Sequence, residues 1–411
     1  MTYRHLKKVF HAVGASAAGE LHLARRNSEA ALRWDLPVGE HTLFCILIPE
    51  LVSLVEVIHR QEVEITRSWE RLPPGVRGHY IRSLLLDEVV FTNAIEGVQS
   101  TRRQIQDALE DVRGASRQHR RFRELSHLYL ALGHGNGVVP TSVQEIRELY
   151  DKIMDGELEE GERLDGELFR AEPVDVTDPG GRSVHRGFQP ESKIIEGLHI
   201  TLMAMSETQH APLVSAVMSH FMFECIHPFY DGNGRTGRYL LGLRLSELLS
   251  TVTALSLSRI LHEDRRKYYR AFSDVEDPLN RGDGTPFALM MMEAISESQQ
   301  QLLTDLVAHH YLLGQLDEEM ENLRQSGEIE PEHVRRILFL LGQIDLFGTS
   351  SGTRLSEIAA YLELSEQQTR HYLRNMEQDG LVSTTSLRPL RFILSPQGRR
   401  LLRLPEPGTD W

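Results

Sequence analysis

Cysteine is almost missing from this sequence: Cys45 and Cys225 are the only two in 411 residues. Both lie in apolar runs, so they read as buried free thiols rather than a disulfide or a metal site, and the compartment reads as reducing. A long hydrophobic run is also missing. The longest, Leu43 to Ile58, is broken by Glu50 and Glu56 and falls short of a membrane span. The first residues carry Lys7 and Lys8, but the stretch that follows is too weakly apolar for a signal peptide, which leaves a cytoplasmic location as the expectation. Positive charge is in deficit as well. A net charge of −14 argues against nucleic-acid binding over the whole surface, since that needs a basic footprint. What is present, 40% hydrophobic and 25% charged residues, suits a soluble globular chain of two or three domains.

The most informative stretch runs from His227 to Arg238, His-Pro-Phe-Tyr-Asp-Gly-Asn-Gly-Arg-Thr-Gly-Arg. Upstream, Val214, Val217, Met218 and Phe221 recur at helical spacing, and Pro228 prevents that helix from continuing. Downstream, Leu240, Leu243, Leu245 and Leu248 begin a second helix inside the motif. Gly232 and Gly234 then allow a tight turn that brings bare backbone N–H groups together at a helix N-terminus, an anion cradle. Arg235 and Arg238, three apart, share a helix face and can fork onto phosphate oxygens. Asp231 adds a hard oxygen ligand of the kind that holds Mg²⁺ beside phosphate. His227, with an ordinary pKa of about 6.5, can take a proton from a hydroxyl at neutral pH. Singly, each residue is compatible with a structural role; together they describe a nucleotidyl-transfer site.

At these positions the chain resembles the Fic family, whose signature H-x-F-x-[D/E]-G-N-G-R-x-x-R is met by His227, Phe229, Asp231, Gly232, Asn233, Gly234, Arg235 and Arg238. The resemblance implies transfer of AMP from ATP to a Ser, Thr or Tyr hydroxyl of a target protein. It makes His227 the general base and Asp231 the ligand of Mg²⁺ or Mn²⁺. Asn233 and the glycine amides would cradle the inner phosphates, and Arg235 and Arg238 would clamp the outer ones. Family branches with other chemistry depart from the Gly-Asn-Gly core, which this chain keeps.

A second feature closes a helix expected over about Tyr80 to Gly97: Thr92 and Glu96 stand four apart on one face, and Gly97 is placed to cap it. Beside the Fic motif this resembles the family's inhibitory signature, [S/T]-x-x-x-E-[G/N], placed N-terminal to the catalytic loop as in the branch with an internal inhibitory helix (class II). Glu96 would pair with Arg238 and deny it to the outer phosphate of ATP.

The rest is expected to be mainly α-helical. Residues 1–44 are left unassigned, and Leu43 to Trp69 reads as helix, as do parts of Ser100 to Ala131, with a break near Gly114, and Thr141 to Met154. Between Gly166 and Pro190, alternation around Val174 and a turn at Asp178-Pro-Gly-Gly predict a β-hairpin. It sits where the family's flap would hold a target by strand addition. The family also makes Tyr268 an adenosine contact. A helix from Pro286 to Leu313, closed by Gly314, ends a Fic domain placed at 45–310, and a charged linker at 311–330 follows.

Composition shifts after Pro331: residues 331–411 hold ten arginines against nine acidic residues, so the acidic excess lies in residues 1–330. Three short helical patterns, a capping box at Ser365 and Gln368, and a hairpin around Leu387-Arg-Pro resemble a winged helix-turn-helix domain at 331–405. Gln367, Gln368, Arg370, His371 and Arg374 should face outward and could meet DNA; a protein-contact surface is the alternative. The implied partners are an unnamed target protein and DNA, with no membrane, and a homodimer is compatible with the reading. Two rival functions use the same residues: removal of AMP, with Glu96 positioning water, and a DNA-binding regulator whose Fic domain senses nucleotide.

Overall fold

The computed structural model describes residues 3–110, 122–158, 164–177, 183–327, 329, 331–347 and 352–405. The chain divides into two units, one of Met1–Val63 with Leu85–Gln300 and one of Glu64–Leu84 with Gln301–Trp411. No helix among the described residues is long and apolar enough to cross a membrane.

The first unit opens with α1 (Leu6–Val13) and α2 (Ala15–Arg26), then the antiparallel hairpin β1 (Ala31–Val38) and β2 (His41–Ile46). Here the sequence expectation is corrected. Residues 43–46 are strand, and helix α3 (Pro49–Arg71) begins only at Pro49. Leu43, Phe44 and Cys45 are all fully buried, so the strand shows no alternation, and a short unbroken apolar run does not reveal its period. Helix α4 (Pro74–Ile95) also starts earlier and stops sooner than expected: Pro74 occupies its first turn, and Glu96 and Gly97 form the turn beyond its end. Then follow α5 (Arg102–Leu109), α6 (Arg123–Gly133) and α7 (Val143–Ile153). The expected break near Gly114 lies outside the described residues.

Strands β3 (Asp175–Thr177) and β4 (Ser183–Arg186) pair antiparallel, as expected of the hairpin, although the Asp178-Pro-Gly-Gly turn lies outside the described residues. They lead into α8 (Glu191–Met205), α9 (Pro212–Ile226) and α10 (Asn233–Leu248). Thirteen of the fifteen residues of α9 are buried, which makes it the central helix of the unit. After α11 (Thr251–Ala254) and α12 (Leu257–Glu263), α13 (Arg265–Glu276) forms the far wall of the cleft described below.

Helix α14 (Thr285–Ser326) corrects the linker expectation: it runs through Gly314 and includes most of residues 311–330. A lone glycine in a helix costs about 1 kcal/mol, too little to end one that is held by packing. Leu316 and Leu323 supply that packing in the second unit, where they join Leu338, Leu341 and Leu373 in one core. Most of the charged residues around them, which suggested a linker, lie on the solvent side; Glu321 and Arg324 pair there at 2.7 Å. The second unit continues with α15 (Glu332–Phe347), β5 (Thr353–Arg354), α16 (Leu355–Leu362), α17 (Glu366–Gln378), the hairpin β6 (Val382–Leu387) and β7 (Leu390–Leu394), and α18 (Pro396–Leu401). Strand β5 follows the first of the three helices and the β6–β7 hairpin follows the third, and the strands pair in the order β5-β7-β6, an arrangement compatible with a winged helix. Ser365 and Gln368 do form a capping box at the start of α17.

Candidate active site

Helices α9 and α10 meet at a corner whose backbone is tightly specified. His227 ends α9 with φ of 53°, a left-handed conformation rare for a residue with a side chain, and Pro228 follows. Gly232 caps α10 with φ of 76°; a β-carbon there would also strike the Met154 sulfur, so glycine is required twice over. Asn233 ties the loop together, accepting from Phe229 N–H at 3.0 Å and donating to its carbonyl at 2.8 Å. The ring of Phe229 is stacked on Tyr150 of α7 with centroids 3.6 Å apart.

Arg170, which the sequence did not single out, locks this corner. It is fully buried, and its guanidinium donates to the carbonyls of His227, Glu172 and Phe188 at 2.8 Å each. Three carbonyl dipoles thus solvate a buried cation, and the His227 carbonyl is held in the unusual conformation that aims its ring. Nδ1 of His227 lies 3.3 Å from the Glu224 carbonyl, which assigns the ring proton to Nδ1 and leaves Nε2 as acceptor. Burial, with smaller contributions from His185 and Arg170, pushes the His227 pKa down to about 3. The ring is therefore neutral throughout the physiological range, rather than half-protonated as its ordinary pKa suggests.

His227 opens onto a cleft of about 730 Å³, whose lining includes Asp231, Gly232, Asn233, Gly234, Arg238 and Glu96. Arg238 is the buried cation at its base. It donates through Nε to the Thr92 hydroxyl at 2.8 Å, and through Nη2 to the Thr92 carbonyl at 2.9 Å and the Glu96 carboxylate at 2.8 Å. Glu96 lies so close to Gly234 that a β-carbon on Gly234 would collide with its carboxylate. A side-chain anion thus stands at the N-terminus of α10, where the backbone invites one. The turn carrying Glu96 is fastened from α13: the Tyr269 hydroxyl donates to the Ile95 carbonyl at 3.0 Å, and Arg265 reaches the Ala94 carbonyl at 3.3 Å.

Residues 140–245 match the family described as Fic/DOC, and residues 332–389 match the one described as FaeA-like protein. The chain carries a Fic/DOC domain. It is 30% identical over 138 residues to the probable protein adenylyltransferase aq_aa38 of Aquifex aeolicus (strain VF5); the match takes in 30% of this chain and 38% of that protein. The structure resembles that of a Fic family protein from Desulfovibrio desulfuricans G20, with a TM-score of 0.53 and 20% identity over 85% of this chain and 97% of that one. The latter likeness bears on the fold.

Within the Fic domain the surroundings of Arg235 and Asn233 differ from the roles the resemblance implies. Arg235 is 1% exposed, pairs with Glu157 at 2.6 Å and does not line the cleft, so it braces α10 rather than facing outer phosphates. The Asn233 amide is spent on the loop, which leaves its backbone N–H as the group available to an anion. Tyr268 lines the cleft although it is 2% exposed, with its hydroxyl 2.7 Å from His220 Nε2; Tyr269 on the same wall is far more exposed. Glu224 is a further residue the sequence reading passed over. It lines the cleft beside Arg238 and Glu96 with a side chain only 14% exposed, and desolvation pushes its pKa up to about 8. The signal was present: Glu224 is the one carboxylate in a largely buried helix, one turn before His227.

The surroundings of Asp231 fit a cation. Asp231 is 58% exposed on its side chain and lines the cleft; one oxygen accepts from Gly232 N–H at 2.6 Å, and the other lies 3.7 Å from Arg235. A hard oxygen thus faces the cleft beside the anion cradle. On the second unit, Gln367, Gln368, Arg370, His371 and Arg374 all face solvent on α17, with Gln368 also committed to the cap of that helix.

Proposed function

We propose that this chain is a protein adenylyltransferase that moves AMP from ATP to a Ser, Thr or Tyr hydroxyl of a target protein, and that Glu96 holds the reaction down. The observation that carries this reading is the Arg238–Glu96 pair set against Gly234: a carboxylate fills the anion cradle of a Fic motif whose base, glycines and cleft-facing carboxylate are all in place. The name of the Aquifex aeolicus relative, a probable protein adenylyltransferase, agrees with it.

In this reading the backbone N–H groups of Asn233 and Gly234 and the Arg238 guanidinium bind the phosphates, and the walls bearing Tyr269 and Arg265 border the nucleoside. The target hydroxyl oxygen bonds to the α-phosphorus, the bond to the bridging oxygen breaks, and pyrophosphate leaves. His227 Nε2 accepts the hydroxyl proton. Its low pKa in the free protein rises when the phosphates bring negative charge to the cleft, because an opposite charge favours the imidazolium. Asp231 would hold the magnesium or manganese ion, whose contribution is to neutralise charge on the phosphates. A target segment would bring its hydroxyl to His227 by pairing with an edge of the β3–β4 hairpin.

The test is mass spectrometry of cell extract incubated with ATP, Mg²⁺ and the Glu96→Gly protein, read for proteins that gain AMP; an extract with no AMP-modified protein overturns the assignment. Asp231→Ala should lower transfer by at least about 100-fold, since no other motif carboxylate faces the cleft to replace it. Undiminished metal-dependent turnover by that variant would place the ion elsewhere.

For the second unit, the outward face of α17 supports DNA binding. Replacing Arg370 and Arg374 together by Ala should weaken that binding by roughly tenfold or more and reduce its salt slope by about two, one unit for each phosphate no longer neutralised. A titration in which the whole chain binds no DNA at low salt would turn the same face into a protein-contact surface.

A further inference from the structure

At the border of the cleft stands a set of side chains that AMP transfer does not use. Cys225 lies on α9 two residues before His227, Glu276 ends α13, and His185 stands on β4 of the hairpin. Among the described residues, these form the one group of three His, Cys or carboxylate side chains whose ligand atoms all lie within 4.8 Å of one another. His185 Nδ1 is 2.7 Å from Glu276 Oε1, and the Cys225 thiol hydrogen-bonds the same carboxylate. The His185 and Glu276 side chains are 16% and 18% exposed, and Cys225 is 4% exposed. The second ring nitrogen of His185, Nε2, is buried without a partner among the described residues. Turning the ring therefore breaks only the bond to Glu276.

The donor set selects an ion. One sulfur, one imidazole nitrogen and one carboxylate oxygen suit a borderline divalent cation of the zinc type, whereas Mg²⁺ and Ca²⁺ want oxygen throughout. Ligand atoms about 2.0–2.3 Å from a tetrahedral zinc stand roughly 3.4 Å apart. The 2.7 Å contact between His185 and Glu276 needs to open by less than about 1 Å to admit the ion. His185 and Glu276 line the cleft while Cys225 does not, so the fourth position faces the cleft and falls to water. We propose that His185, Cys225 and Glu276 form a binding site for a zinc-type divalent cation, and that the bound ion restrains β4 against α9 and α13 and blocks the cleft. This revises the expectation that Cys225 has no metal role.

Binding displaces one proton, from the Cys225 thiol to solvent, and forms a thiolate–metal bond. The inhibitory part rests on the adenylyltransferase reading. The His185 and His227 rings are 6.1 Å apart, so a dication on His185 opposes the positive charge that His227 must acquire when it takes a proton.

The binding part is tested on the full chain, free of nucleotide and stripped with chelator, by titration with Co²⁺ alone. A thiolate ligand gives a sulfur-to-cobalt charge-transfer band, and one equivalent per chain is expected, displaced by Zn²⁺. Cys225→Ser should abolish the band, and Glu276→Gln should weaken cobalt binding by roughly 10- to 100-fold. Asp231→Ala should leave both unchanged, which separates this ion from the one in the motif. A wild-type protein that shows no such band at saturating Co²⁺, or a band that survives Cys225→Ser, overturns the site; if Cys225→Ser does not fold, Glu276→Gln decides. Zinc inhibition of AMP transfer is then measured in both proteins. Inhibition that persists undiminished in Glu276→Gln overturns the regulatory part alone, and a chain without transferase activity fails the functional reading while the cobalt result still stands.

Discussion

Glu96→Gly is expected to raise AMP transfer by roughly 10- to 100-fold. The Glu96 carboxylate makes a charge-assisted bond to a buried arginine, of the kind worth about 1.5–3 kcal/mol, and ATP must displace it to engage Arg238 productively. Removing that competition lowers the barrier by a similar amount, and about 1.4 kcal/mol corresponds to a tenfold rate. A further feature favours a clean result: Glu96 lies beyond the end of α4, so glycine there avoids most of the helix-propensity cost.

The gain should disappear in the Glu96→Gly, Arg238→Ala double variant, because the released guanidinium is its agent. Folding is checked by thermal melting of each protein. If Glu96 instead positions water to remove AMP, the single substitution suppresses that reaction too, so release of AMP from a modified target is measured on the same preparation. A folded Glu96→Gly protein with unchanged transfer in both assays would end the inhibitory assignment.

What could be read from the sequence was what sits in one short segment. The corner at His227 to Arg238 was legible because proline, two glycines and two arginines impose a turn, a cradle and a helix face within a few residues. Thr92 and Glu96 were legible as a pair at helical spacing, and their meeting with Arg238, 146 residues away, followed from resemblance rather than from any local pattern. Arg170 was illegible for the complementary reason: its partners are backbone carbonyls, up to 57 residues distant, and a carbonyl has no sequence signature. Arg235 illustrates the converse error. Its spacing from Arg238 promised a shared face, but Glu157 drew it into the protein, and a loop residue carries no periodicity that could announce this. The strand at 41–46 and the extension of α14 past Gly314 were missed where burial on both faces, or packing at a distance, overrides the local signal.

His227→Ala is expected to reduce transfer by about 100- to 10,000-fold, the usual contribution of a positioned proton acceptor, while leaving ATP affinity nearly unchanged. The separation follows from the geometry: the phosphate-binding groups are the α10 N-terminus and Arg238, and the His227 ring touches neither of the hydrogen bonds that hold the loop at Phe229 and Asn233. Because Arg170 grips the His227 carbonyl rather than its ring, the loop keeps its shape when the side chain is cut back. A second readout comes from acid stability. The His227 pKa is about 3 in the folded chain and about 6.5 when unfolded, so the unfolded state binds more protons between those values and stability falls as pH drops through that window. The alanine variant lacks this group, and its stability should fall less steeply from pH 6.5 downward, as followed by urea unfolding at each pH. A variant with wild-type turnover would remove His227 as the base; one that lost ATP binding in step with transfer would assign the residue to the cradle instead.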